Sequence, residues 1–333
     1  MEAMFYLTEN SKVRCFLCPW RCKIASGKRG FCGVRENNDG VLNSLIYGKV
    51  SSVHPDPIEK KPLFHFYPKS YVLSFGTVGC NFRCKHCQNW TISQCKFEDI
   101  RLHEISPEKA VEMIPAYGCQ GIAWTYNEPT IWFEYTYETA KIAKKEDFYT
   151  VYVTNGYICL DPLEKIAPVL DAANVDIKGF SDKFYKTVAG IPRWEEVLNA
   201  TKFMFENNIH VEITNLVIPG YNDSIEDFKQ LIEWILKELS EEVPLHVTRF
   251  HPHYKMNRIP PTPVKTLETL REKAIEMGLS YVYLGNVPGH PGENTYCPNC
   301  KNLLIERHGF SIGKENIEDK NCKFCGRELN IVT

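Results

Sequence analysis

The stretch Gly79-Cys80-Asn81-Phe82-Arg83-Cys84-Lys85-His86-Cys87-Gln88-Asn89-Trp90 follows directly on the apolar run Tyr71–Phe75. It delivers three thiols, Cys80, Cys84 and Cys87, in one turn after a predicted strand. The number three is what matters. Structural zinc wants four protein ligands, and iron–sulfur clusters are commonly held by sets of four cysteines. A triplet with no fourth cysteine close by leaves one iron of a [4Fe-4S] cluster open to another ligand. The plainer alternatives are a fragment of a zinc site, or buried cysteines that met by chance.

Around this turn the chain divides into three segments. Residues 1–68 form a cysteine-containing N-terminal module ending in the proline-punctuated run HPDPIEKKPLFHFYPKS. Residues 69–290 alternate β-rich runs with helical periodicity, and residues 291–333 form a second small cysteine module. Predicted strands are Tyr71–Gly76, Gly121–Tyr126, Phe148–Thr154, Val175–Lys178, His210–Ile218, Leu245–Phe250 and Tyr281–Leu284. Predicted helices are Pro107–Ala116, Ile131–Lys145, Pro162–Leu170, Trp194–Glu206, Ile225–Leu239 and Val264–Met277, with Ser106 and Asp161 as candidate N-caps. This alternation implies a parallel sheet with right-handed crossovers. A full eight-unit barrel needs about 250 residues. The segment is shorter, so the expected fold class is α/β, a partial (β/α)6 TIM-like barrel. Chemistry in such folds sits at the C-terminal ends of the strands.

With 333 residues and 44% hydrophobic content, the chain can fill one large core plus small appendages. No stretch approaches the ~20 apolar residues of a membrane span. The start, MEAMFYLTENSK, lacks a basic segment followed by an apolar one, so the expectation is a cytoplasmic protein without a secretory signal. Eleven of its 14 cysteines fall into tight groups, which in a reducing compartment read as metal sites. Cys95, Cys119 and Cys159 read as small core residues. The net charge of −2 argues against a protein built around a nucleic-acid backbone. Residues 11–35 are a local exception, with Lys12, Arg14, Arg21, Lys23, Lys28, Arg29, Arg35 and no acid. Much of that basicity can offset the charge of four thiolates around a divalent metal.

The two outer cysteine groups differ in pattern. Cys297-x2-Cys300 and Cys322-x2-Cys325 are paired knuckles at zinc-ribbon spacing. A module so small would draw much of its stability from the metal. Cys15, Cys18, Cys22 and Cys32 fit tetrahedral zinc, the first expectation, or an auxiliary [4Fe-4S] cluster, the second.

Each remaining motif follows a predicted strand. Glu128, in Tyr126-Asn127-Glu128-Pro129, can accept charge-assisted hydrogen bonds from a substrate ammonium; alone it could be an ordinary turn. Thr154-Asn155-Gly156 can bond a ribose hydroxyl or a carboxylate, or be only a turn. Asp176 and Lys178 lie two apart and point the same way, so a structural ion pair competes with a ligand role. Ile218-Pro219-Gly220-Tyr221-Asn222-Asp223 reads as a strand-to-helix loop that shapes the pocket. His251 and His253 follow the sixth strand and could be solvated loop residues.

The cysteine triplet resembles the signature of the radical S-adenosylmethionine (SAM) superfamily. The resemblance implies a barrel in which the open iron chelates SAM, and reductive cleavage gives a 5′-deoxyadenosyl radical. It implies contacts to SAM from Glu128, matching the acid of a Gly-Gly-Glu motif, and from Asn127, Thr154, Asn155 and Gly156. His86 takes a position that packs on adenine. Gln88 continues a Cys-Gln-Asn similar to the Cys-His-Asn of glycyl-radical activating enzymes, where counterparts of Asp176, Lys178 and His251 contact SAM or a nearby cation. Tyr126 and Asn127 replace the two glycines, a departure that bears on close backbone approach there. Across its whole length the chain is similar to the radical SAM enzyme of the AmmeMemoRadiSam system, through the CPxxC…GxCGVR module, DPIEKKPLFHFYP, GCNFRCKHCQNW, TYNEPT, VTNGY, DIKGF and IPGYND. That implies an oxidoreductase or modifying enzyme acting on a protein, peptide or small molecule. Implied partners are an electron donor such as ferredoxin or flavodoxin, and proteins with AMMECR-type and Memo-type domains. A pyruvate formate-lyase type activase is the alternative. Lys69–Gly79, however, lacks the Gly-x-Gly-x-Arg found before the cluster loop in those enzymes. A non-catalytic metalloprotein binding nucleic acid is a third reading, and it leaves Glu128, Thr154 and Asp176 unexplained.

Overall fold

The computed structural model describes residues 1–333. One eight-stranded sheet organises it: β1 Ser52–Pro57, β2 Tyr71–Gly76, β3 Gly121–Trp124, β4 Tyr149–Thr154, β5 Ala172–Asp176, β6 His210–Val217, β7 Leu245–Arg249 and β8 Val282–Gly285. From β2 to β8 neighbours are parallel and sequential. The crossovers are α1 Pro107–Ala116, α2 Phe133–Lys145, α3 Leu160–Ile166, α4 Glu195–Glu206, α5 Ile225–Glu238 and α6 Val264–Glu276. Six strand–helix repeats with a closing strand agree with the expected partial barrel. The sheet stays open, because β1 and β8 end its order unpaired with each other.

Local details depart from expectation. β1 overlaps the start of the proline-punctuated run and pairs antiparallel with β2, Ser52 opposite Gly76 and Pro57 opposite Tyr71. Its prolines are tolerated because an edge strand leaves one row of backbone groups unpaired. Ser106 caps α1 by accepting the Lys109 N–H. Asp161 does not cap α3: Cys159 holds that position and Asp161 falls in the first turn. β5 ends at Asp176, so Lys178 stands in the loop beyond it.

Period-two alternation splits the inner parallel strands between two buried faces. Leu73, Phe75, Ile122 and Trp124 join the main core, while Val72, Ala123, Val151 and Ala172 pack inward on Ile58, Leu63 and Phe66. The segment 58–67 is therefore a plug around which the sheet curls. Asn174 Nδ2 donates to Pro62 O at 2.7 Å, and the His65 N–H donates to Glu212 Oε1 at 2.7 Å. His210 and His246 also face Glu212, at 3.1 and 2.6 Å. Burial alone would raise the Glu212 carboxyl; these bonds hold it well below the usual carboxylate range.

The C-terminal module closes this same end, where the strands begin. Val332 pairs with Phe66, accepting from the Tyr67 N–H and donating to His65 O, both at 2.8 Å. Buried Arg307 donates to Phe64 O (2.9 Å) and Thr295 Oγ1 (2.6 Å), with its guanidinium 4.1 Å from the Phe64 ring centre. At the opposite end, the N-terminal module rests on α2 through the buried Arg35–Glu134 ion pair. No helix is long and apolar enough to cross a membrane.

Candidate active site at the C-terminal ends of the strands

The three-cysteine loop leaves β2 through Gly79, which adopts φ +87°. A Cβ there would lie 2.8 Å from Cys32 O and from a Val34 methyl, so glycine is required by both conformation and space. Long-range bonds shape the rest of the loop. Arg83 and Lys85 donate their N–H groups to Ala189 O and Val188 O, each at 2.9 Å. Asn81 Nδ2 donates to Tyr157 O at 2.8 Å and its Oδ1 receives Asn155 Nδ2 at 2.9 Å. Cys80 and Cys84 are buried, Cys87 half-buried. Burial raises all three thiols, Cys84 to about 12, although the charge of Lys178 opposes that shift. Without a cation these groups keep their protons; a bound metal would displace them.

Glu128 is 1% exposed and accepts four hydrogen bonds. Thr130 N, Thr130 Oγ1 and Thr154 Oγ1 reach Oε1 at 3.0, 2.7 and 2.7 Å, and Asn155 N reaches Oε2 at 2.8 Å. None of these donors carries charge. Burial outweighs them, and the carboxyl rises above its ordinary value. A cation on the free side of Oε2 would relieve that cost.

Tyr126 accounts for the missing glycine: it adopts φ 71°, the left-handed conformation that favours glycine. Its hydroxyl donates to Asp56 Oδ2 at 2.6 Å, and Lys61 Nζ binds the same oxygen at 2.6 Å while lying 4.7 Å from the Tyr126 ring centre. Burial pushes Lys61 down to about 8 despite Asp56. The DPIEKK motif thus anchors the residue two before Glu128. Nothing local in the sequence signals this pairing.

Other predicted residues separate into groups. Asn127 commits its amide to the loop, accepting from Thr77 N at 3.2 Å and donating to Gly79 O at 2.9 Å. Thr154 and Asn155 orient Glu128, and Gly156 sits at φ +69° with its N–H on Thr154 Oγ1. Lys178 Nζ and Asp176 Oδ2 form an ion pair at 2.7 Å beside Cys84. Asn222 of the IPGYND loop, given no chemistry by sequence reasoning, donates to Lys178 O at 2.7 Å and so fixes the backbone behind that pair. His86 is buried with Nδ1 unpartnered, and burial, reinforced by Lys178, pushes it down to about 3. Gln88 and His251 are exposed. Their segments still meet: Lys255 N donates to Lys85 O at 3.0 Å, and Trp90 stacks on Tyr254 at 5.0 Å.

At the far C-terminus, Cys297, Cys300, Cys322 and Cys325 bring all four Sγ atoms within 4.8 Å of one another. Zn–S bonds of about 2.3 Å place tetrahedral thiolates about 3.8 Å apart. The observed Cys297–Cys325 and Cys300–Cys322 separations are 3.6 and 3.7 Å, which fits a zinc ribbon.

Comparison with known proteins identifies the family and the fold. The family model of the radical SAM superfamily matches residues 75–235. An uncharacterized protein of Methanocaldococcus jannaschii is 53% identical over 334 residues, covering 99% of each chain. A protein of the same organism, named "Putative glycyl-radical enzyme activating enzyme", is 30% identical over 246 residues, covering 72% of this chain and 88% of its own. The crystal structure of a radical SAM methyltransferase from Sphaerobacter thermophilus aligns with TM-score 0.52 and 14% identity, over 68% of this chain and 71% of that one. At that identity the likeness speaks for the fold alone.

Proposed function

Since the chain belongs to the radical SAM superfamily, we propose that Cys80, Cys84 and Cys87 hold a [4Fe-4S] cluster whose open iron takes SAM. When bound, cluster and SAM supply reductive cleavage to a 5′-deoxyadenosyl radical, which abstracts hydrogen from a protein, peptide or small-molecule substrate. The protein's own part is to hold and orient. Glu128 receives the SAM ammonium, Thr154 and Asn155 fix Glu128, and neutral His86 packs on the adenine. Lys178, paired with Asp176, sets positive charge beside Cys84. The carrying observation is Glu128: a buried carboxylate with no cationic partner, joined through Asn155 to the cysteine loop.

Anaerobic reconstitution, followed by SAM and a reductant, should yield 5′-deoxyadenosine by mass spectrometry. Replacing Cys80, Cys84 and Cys87 by Ala should abolish it; undiminished turnover in that variant overturns the reading. Activation of a glycyl-radical enzyme is the second reading, supported by the name of the 30%-identical relative. It requires a glycyl radical visible by electron paramagnetic resonance (EPR) on a partner protein. Proteins with AMMECR-type and Memo-type domains are the partners to add first, with a ferredoxin or flavodoxin as electron donor in the cytoplasm. The C-terminal quartet takes zinc in this reading.

A further inference from the structure

We propose that Cys15, Cys18, Cys22 and Cys32 hold a second [4Fe-4S] cluster, not zinc. Size distinguishes the two metals. Across the protein, the only group of three or more potential ligands whose donor atoms all lie within 4.8 Å of one another is the C-terminal quartet. Neither the N-terminal four nor Cys80, Cys84 and Cys87 draw together that tightly. A single ion needs thiolates about 3.8 Å apart. A cubane interposes an iron and bridging sulfides between each thiolate and the centre, so its thiolates stand farther apart.

The space between the four thiols agrees. All four line one cavity of about 20 Å³, with Ile24, Phe31 and Arg35 among its other walls. A single water-sized sphere occupies about 10–15 Å³. Thiolates closed around one ion leave no such room. Two donors already address the sulfurs: Phe31 N lies 3.4 Å from Cys22 Sγ, and Arg35 Nη1 lies 3.7 Å from Cys15 Sγ. Such hydrogen bonds stabilise anionic cluster thiolates.

Four thiolates occupy all four irons, so this cluster has no open position for substrate. It would carry single electrons, and its neighbours suit that role. Trp20 Nε1 donates to Asn81 O at 2.8 Å, Arg83 donates to Phe31 O, and Cys32 O presses on Gly79. The module thus abuts the loop that carries Cys80. One electron from an external low-potential donor of the ferredoxin or flavodoxin class would take the cluster from 2+ to 1+. Passing that electron to the cluster proposed at Cys80, Cys84 and Cys87 returns the donor to 2+ and takes the acceptor from 2+ to 1+, with no bond made or broken in the transfer. Onward transfer rests on the proposed cluster at Cys80, Cys84 and Cys87; the second cluster does not.

The test uses the full chain with Cys80, Cys84 and Cys87 replaced by Ala, reconstituted anaerobically. Retention of one [4Fe-4S] cluster's iron and sulfide, with a cluster EPR signal after dithionite, supports the proposal. An iron-free protein holding zinc at two sites overturns it. The converse variant, Cys18→Ser with Cys22→Ser, should lose half of the wild-type iron and keep its C-terminal zinc. Unchanged iron there also overturns the assignment. A failed radical SAM reading would appear instead as wild-type protein that holds iron only through the N-terminal four.

Discussion

Asn155 faces two ways: its backbone N–H donates to Glu128 Oε2 at 2.8 Å, and its side-chain Nδ2 stands 3.8 Å from Cys80 Sγ. One residue therefore fixes the distance between the carboxylate and the cysteine loop. Glu128→Gln keeps the shape but removes the charge. Losing a charge-assisted bond of about 1.5–3 kcal/mol should weaken SAM binding roughly ten- to a hundredfold. Iron content should not change. Calorimetric titration of the reconstituted protein checks this, and wild-type affinity would remove Glu128 from the site.

Asp56 holds three groups at once: the half-exposed Lys60 ammonium on Oδ1, and the Lys61 ammonium and Tyr126 hydroxyl, both largely enclosed, on Oδ2. Asp56→Ala leaves the Lys61 charge buried without its partner. Destabilisation of about 3–5 kcal/mol is expected from such a break. Tyr126→Phe removes only one bond and should cost about 1 kcal/mol. Denaturant melts of both variants distinguish these sizes; equal losses would show that Asp56 does not carry the pair.

Zinc loss should be felt beyond the ribbon. Cys322→Ser should lower zinc content and open residues past Gly289 to protease. Because Arg307 grips Phe64, hydrogen exchange should also quicken at residues 63–66 in the plug. Protection there equal to the wild type would mean the floor stands without the ribbon.

His65 sets a pH dependence. It is fully buried between Tyr283 OH at 2.6 Å and Asn330 O at 2.7 Å, and burial pushes it down to about 3. Between about pH 6.5 and 3 the unfolded chain binds a proton that the folded one refuses. Its contribution is fully present above the unfolded value and is lost as pH falls through this window. The melting midpoint should therefore drop from pH 7 to pH 5, and His65→Gln should flatten the slope. An identical slope in both proteins would assign the effect elsewhere.

The parallel sheet was legible because every crossover carries its own helical period between two apolar runs, as in Tyr71–Gly76, Pro107–Ala116 and Gly121–Trp124. The cysteine loop was legible because its three cysteines lie within eight residues of one another. What escaped depends on distant partners. His54-Pro55-Asp56 is missing from the predicted strands, because prolines mask a strand that only the sheet edge admits. Tyr126 gives no hint of φ 71°, since the stabilising Asp56 lies far away in sequence. Asn222 and Arg307 act on backbone carbonyls of residues 178 and 64, contacts without any periodic signature.

The plug gives synthesis an order. Phe64 and His65 emerge from the ribosome long before Arg307, Asn330 and Val332, which hold them. Until those residues emerge, the nascent barrel has an unsealed base, while the cysteine turn at its other end already has every strand it needs. A chain truncated before residue 307 would present an open apolar floor to chaperones and proteases, with its cysteine turn already formed.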